Sequence, residues 1–119
     1  MASMREQRQQ ETHFKVMRLL RDNPSITTRE IAKEVGISNG AAYYCITALI
    51  EKGFVKLSNF AGSPHKSKYM YTLTPKGIRQ KAIMTTAFLE RKLEEFDDLK
   101  REIEQLEREA GIRFEEEGE

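Results

Sequence analysis

The stretch "GISNGAAYYCITALIEKGFV", residues 36–55, decides the fold. Glycine takes the left-handed conformation that ends a helix, so Gly36 closes one helix. Ile37 plugs the turn. Ser38 offers a side-chain oxygen to the first free amides of the next helix, which is the requirement for an N-cap. Ala42, Cys45, Ile46 and Leu49 then recur at the 3-4-3 spacing of a single apolar stripe. The spacing predicts a helix from Ser38 to about Lys52, stopped by Gly53, with a strand opening at Phe54. Two helices meeting at so short a turn make a helix-turn-helix.

The flanks extend this pattern. Upstream, Phe14, Met17 and Leu20, with Val16 and Leu19 beside them, give residues 5–22 one buried helical face. Asn23-Pro24-Ser25 ends that helix, because the residue before a proline is pushed out of helical geometry. Thr27-Thr28-Arg29-Glu30 is a capping box, in which Thr27 accepts from the Glu30 amide and Glu30 reaches back. The helix it opens buries Ile31, Ala32 and Val35. Downstream, Phe54 to Phe60 and Lys68 to Leu73 read as two short strands around the turn Ala61 to Ser67, a hairpin. Thr74-Pro75 starts another helix, with Thr74 as N-cap and Pro75 in the first turn.

Nothing after Pro75 breaks the chain until Gly111. A helix of that length is about 50 Å long at 1.5 Å per residue. Its apolar positions follow a heptad with Ala82, Leu89, Phe96, Ile103 and Ala110 at a. Ile78, Leu99 and Leu106 stand at d, with Thr85 and Lys92 as weak d positions; Leu93 adds to the same surface. A domain of about 75 residues cannot cover so long a stripe, so a second copy of the chain is the expected cover. The direction of pairing stays open. A parallel pair matches Glu95 with Lys100 but sets Glu102 against Glu107, and an antiparallel pair brings glutamates together.

The expected fold class is therefore mainly α with a small β-hairpin. A winged helix-turn-helix, residues 5–74, is followed by a long C-terminal dimerisation helix, residues 75–110, in a coiled coil. Residues 111–119 form an acidic tail with the composition of a disordered segment.

Composition narrows the function. The chain has 119 residues and a net charge of +1, but the charge is divided. Residues 1–81 hold 14 lysines and arginines against 6 acids, hence +8; residues 82–119 hold 6 against 13, hence −7. A basic front joined to a helix-turn-helix suggests a polyanion partner. No apolar run reaches membrane-spanning length. Met1-Ala2-Ser3-Met4 leads straight into a polar segment, without the pattern of a signal peptide. The single cysteine, Cys45, cannot form an internal disulfide, which suits a reducing cytoplasm. Cys45 lies on the apolar stripe and reads as a buried thiol. His13 and His65 lack ligand partners, so no metal site is expected, and no cofactor. No set of catalytic residues can be placed in a cleft, so an enzyme is not expected.

At Ile31-Ala32, Gly36-Ile37-Ser38, Leu49-Ile50-Glu51-Lys52-Gly53-Phe54-Val55 and Leu73-Thr74-Pro75-Lys76-Gly77, the sequence resembles the MarR family of winged-helix transcription regulators. It is most similar to the compact members found with bacterial exopolysaccharide gene clusters, over most of residues 10–105. The resemblance implies a homodimeric DNA-binding regulator in the bacterial cytoplasm, with Ser38 to Lys52 as recognition helix and Ala61 to Lys68 as wing. Two departures stand out. The chain is too short for the extra helices that build the family's pocket for small phenolic ligands, so a small-molecule effector is not favoured. The recognition helix also lacks the basic residues of many relatives.

The residues themselves suggest how double-stranded DNA could be held. With Ala42, Cys45, Ile46 and Leu49 turned inward, Asn39, Gly40, Tyr43, Tyr44 and Thr47 face out. Asn39 can pair bidentately with adenine, and Thr47 can offer a methyl to thymine. The tyrosines can reach phosphate or sugar, with Tyr44 alternatively packing against the wing. Ser38 and its helix N-terminus can meet a phosphate. Thr28, Arg29 and Lys33 on the preceding helix, and His65, Lys66 and Lys68 in the wing, can supply the remaining contacts. Two other readings remain: a winged-helix adaptor that recruits a protein, and an architectural DNA-binding protein of weak specificity.

Overall fold

The computed structural model describes residues 3–59 and 69–114. The elements run α1 (Met4–Asp22), α2 (Thr28–Val35), α3 (Asn39–Glu51), β1 (Val55–Asn59), β2 (Tyr69–Leu73) and α4 (Pro75–Ala110). Two compact units divide the chain at Thr85 and Thr86. The first three turns of α4 thus belong with the winged helix-turn-helix and the rest of α4 with the C-terminal segment.

The core of the first unit lies where α1, α2 and α3 meet β1. Val16, Met17, Leu20, Ile26, Ile31, Ala32, Ala42, Cys45, Ile46, Leu49 and Val55 form one buried cluster. The period-3.6 positions of α1 and α3 supply most of it, so the amphipathic pattern is the cause of the packing. Val35, expected inside, is only half-buried at the end of α2 and packs on the cluster from its edge.

The turn between α2 and α3 forms as its residues require. Gly36 has φ +80°, which a residue with a Cβ adopts only under strain. The amides of Gly36 and Ile37 both donate to the Ala32 carbonyl. At the start of α2, the Thr27 hydroxyl oxygen accepts from the Glu30 amide at 3.1 Å and donates to the Glu30 carboxylate at 3.0 Å. The Glu30 side chain therefore takes the hydroxyl and not the Thr27 amide, a local variant of the expected box.

The hairpin is antiparallel, with Val55 opposite Leu73 and Asn59 opposite Tyr69. The Tyr71 amide donates to the Pro24 carbonyl at 3.0 Å, which fastens β2 to the loop after α1. The expected end of the first strand at Phe60, the start of the second at Lys68 and the turn between them lie outside the described residues.

His13 is a buried residue that sequence reasoning read only as a non-ligand. It sits on the inner face of α1, 8% exposed. Desolvation, and secondarily the Lys52 charge, lower its pKa from the ordinary 6.5. The unfolded chain then binds the proton first, so stability is complete above about pH 6.5 and falls as pH drops below it. Urea midpoints between pH 7.5 and 5.5 should decline for the natural chain, with a shallower decline in His13→Gln. Equal slopes would assign the pH dependence elsewhere.

Within the second unit, α4 ends in a hook. The Gly111 amide donates to the Arg108 carbonyl and the Ile112 amide to the Glu107 carbonyl, the two bonds of a Schellman ending. The Phe114 amide donates to the Glu107 carboxylate at 2.6 Å. Gly111, Ile112 and Phe114, expected in the disordered tail, are thus hydrogen-bonded to the helix they follow. Residues 115–119 lie outside the described residues.

Candidate nucleic-acid interface

The face of α3 is set by what its other face buries. Ala42, Cys45, Ile46 and Leu49 are inside, which turns Asn39, Gly40, Tyr43 and Tyr44 to solvent. Tyr43 is 65% and Tyr44 75% exposed. Two adjacent tyrosines left so bare form a ridge of apolar surface with two hydroxyls. Tyr44 is the more exposed of the two; the wing against which it could pack lies outside the described residues.

The helix N-terminus is built for close approach. The Ser38 hydroxyl accepts from the Ala41 amide at 3.0 Å, so Ser38 serves first as cap. A Cβ at Gly40 would meet nothing nearer than the Ser38 hydroxyl at 4.0 Å. Gly40 therefore leaves open space beside the cap, where a backbone or base edge could come close. Thr47 lies one turn further and is half-buried, and its hydroxyl donates to the Tyr43 carbonyl at 2.9 Å. With the hydroxyl engaged, the methyl is the group it has to offer.

Arg29 and Lys33 on α2 are exposed, and Thr28, at the first position of that helix, is half-buried. They share one helix-turn-helix with the α3 face. His65, Lys66 and Lys68 lie outside the described residues. The hairpin register shows only where the wing leaves and re-enters the fold, at Asn59 and Tyr69.

Cys45 is buried, and burial pushes its thiol up to about 11. It is a packing residue in the protonated form, not an exposed nucleophile. Among the described residues no cluster of three His, Cys, Asp or Glu side chains could hold a metal. No described helix is long and apolar enough to cross a membrane.

A joint that sequence reasoning saw only in part holds the C-terminal end of α3. The Thr74 hydroxyl oxygen accepts from the Gly77 amide, capping α4, while its hydrogen goes to the Gly53 carbonyl. The Lys76 ammonium donates to the Lys52 carbonyl at 3.0 Å and lies 5.3 Å from the centre of the Phe54 ring. A Cβ on Gly77 would stand 2.0 Å from the Phe54 carbonyl oxygen. "LTPKG" is thus more than a helix start: Thr74 and Lys76 receive the free carbonyls at the end of α3, and Gly77 lets the backbones touch.

Residues 9–56 match the family model described as winged helix-turn-helix DNA-binding. No curated protein sequence matches the chain. Among solved structures, a mutant of ZitR from Lactococcus lactis is 23% identical, with a TM-score of 0.62; the match covers 83% of this chain and 65% of that one. A mutant of MepR from S. aureus is 20% identical, TM-score 0.60, covering 87% and 73%. A MarR/EmrR family transcriptional regulator from Acinetobacter sp. ADP1 is 19% identical, TM-score 0.60, covering 84% and 75%. The chain spans just under two thirds of the length of ZitR. At these identities the likeness is one of fold: a winged helix-turn-helix followed by a long C-terminal helix.

Proposed function

We propose that the chain is a homodimeric, sequence-specific double-stranded DNA-binding transcription regulator of the compact MarR type, acting in the cytoplasm. The observation that carries this reading is the outer face of α3. Its N-terminal half presents Asn39, Gly40, Tyr43 and Tyr44 without any inward packing role, on a fold whose matched family binds DNA. A recognition helix in the major groove meets base edges with its N-terminal residues. Asn39 reads adenine, the Thr47 methyl meets thymine, and the tyrosines hold phosphate and sugar. Affinity comes from Arg29, Lys33 and the wing residues His65, Lys66 and Lys68, with the wing on the backbone or in the minor groove. The half-site therefore leans to A·T.

Selection from random duplexes with the purified protein gives the site, and anisotropy titrations then test the roles. If each protomer neutralises three or four phosphates, the log-log salt slope is near −6. Asn39→Ala should lose about 100-fold on the selected site, roughly 1–3 kcal/mol per half-site, and little on random duplex. Lys66→Ala should weaken both duplexes alike and flatten the salt slope by about one per protomer. Equal losses on both duplexes for Asn39→Ala would remove the base-reading role. No salt-sensitive binding to any duplex would favour a protein-recruiting adaptor, and equal affinity for all duplexes an architectural protein.

A further inference from the structure

The first unit carries a groove of about 440 Å³ lined by Leu20, Pro24, Leu73, Ile78 and Ala82, with Arg21 and Lys81 at its border. The second unit carries an apolar stripe on α4, Leu89, Leu93, Phe96, Leu99, Ile103 and Leu106, each 46–61% exposed. We propose that the two are halves of one interface: the groove of one chain takes the Leu106–Ala110 turn of a second copy, whose long helix runs antiparallel. This rests on the homodimer reading above and adds its direction and register.

Charge along the helix favours that direction. Residues 78–92 hold Arg79, Lys81, Arg91 and Lys92 against Glu90 alone, while residues 96–110 hold six acids against three bases. An antiparallel pair centred on Glu94 lays the basic part of each helix along the acidic part of the other. The flanking positions then meet as Arg79 with Glu107 and Lys81 with Glu109, each pair occurring twice. Only Glu95 meets its own copy unfavourably. Leu93, which sits at an e position outside the a and d seam, meets its own copy beside the two-fold axis. A parallel pair gives Glu95 with Lys100 but sets Glu102 against Glu107. Flanking charges of this kind choose orientation in paired helices.

The seam agrees. In this register Leu89 faces Leu99, Ala82 faces Leu106 and Ala110 faces Ile78. The two weak d positions are each covered by a large side chain, Lys92 by Phe96 and Thr85 by Ile103. The aliphatic stem of Lys92 can lie along the Phe96 ring while its ammonium reaches water. Parallel pairing would instead stack Lys92 on Lys92 inside the seam, a like-charge layer. Lys81 is already held over the Phe14 ring, 5.7 Å from its centre, and remains only half-buried, so its ammonium is placed for Glu109.

The test uses the full chain with one cysteine added in each of two variants, Ile78→Cys and Ala110→Cys, both exposed positions on α4. The natural chain, whose one cysteine is buried, is the blank. Sedimentation first reads the assembly state. The two variants, one tagged, are then mixed and oxidised, because only cysteines whose Cα atoms lie within about 7 Å can join. The proposal expects a dimer and a mixed disulfide at least tenfold above either self-joined product. A dimer giving self-joined products, or none, overturns the antiparallel register and leaves the dimer standing. A monomer at micromolar concentration overturns both.

Discussion

Gly77→Ala should cost about 3 kcal/mol or more, the upper range for forcing a methyl into a packed site. The added Cβ would sit 2.0 Å from the Phe54 carbonyl oxygen and 2.9 Å from its carbon. Both are backbone atoms, so no side chain can rotate away. The Phe54 carbonyl also accepts from the Thr74 amide at 3.0 Å, and moving it breaks that bond. For a unit of this size the melting temperature should drop by roughly 15 °C. Thr74→Ala is the comparison. It removes one cap and one cross-link to Gly53, and should cost only about 1–2 kcal/mol. A Gly77→Ala chain that melts within a few degrees of the natural one would show that α4 can slide away from Phe54 cheaply, which this geometry does not allow. The consequence for DNA is indirect: loosening the joint frees the last turn of α3, so binding should fall in step with stability.

Leu99→Asp has the other large expected effect, on assembly. Leu99 is exposed in the single chain, so a carboxylate there leaves folding of the protomer unchanged within about 0.5 kcal/mol. In a paired seam it replaces a buried leucine with a buried charge, twice per dimer. Burying an unpaired charge costs several kcal/mol. For the dimer proposed above, the dissociation constant should rise by at least 100-fold, read by sedimentation equilibrium. Binding to a two-half-site duplex should fall with it, since the second half-site contact is no longer intramolecular. The expectation holds for either direction of pairing, because Leu99 lies in the seam in both. A Leu99→Asp protein that stays dimeric would move the interface off this stripe.

These two residues differ in how readable they were. The stripe of Leu99 is periodic, and period is a sequence property. The same holds for α1, α2 and α3, whose buried faces follow the 3.6-residue spacing, and for the turn at Gly36 and the caps at Thr27 and Ser38. Each depends on neighbours within four residues, so the chain states it directly. The paired strands Val55–Asn59 and Tyr69–Leu73 fall inside the two segments expected from alternation. The wing cations were legible as charges, but their placement is a matter of tertiary geometry.

Gly77 was not readable in this way. Its partner Phe54 is 23 positions away, and no local pattern says that two backbones will touch there. Lys76 over the Lys52 carbonyl and the Thr74 hydroxyl on Gly53 are of the same kind. The burial of His13 was not legible because histidine fits either face of a helix, and only tertiary packing decides. Tyr43 and Tyr44 were legible as the outer face of α3, and both are exposed there. The sequence by itself determined which of the described segments are helix or strand, where each helix stops and which face of each helix is apolar, because those follow from dihedral preference, capping and period. The tertiary structure decided that Thr74 and Lys76 answer the carbonyls beyond α3 and that His13 loses its water, because those depend on contacts between residues far apart in the chain.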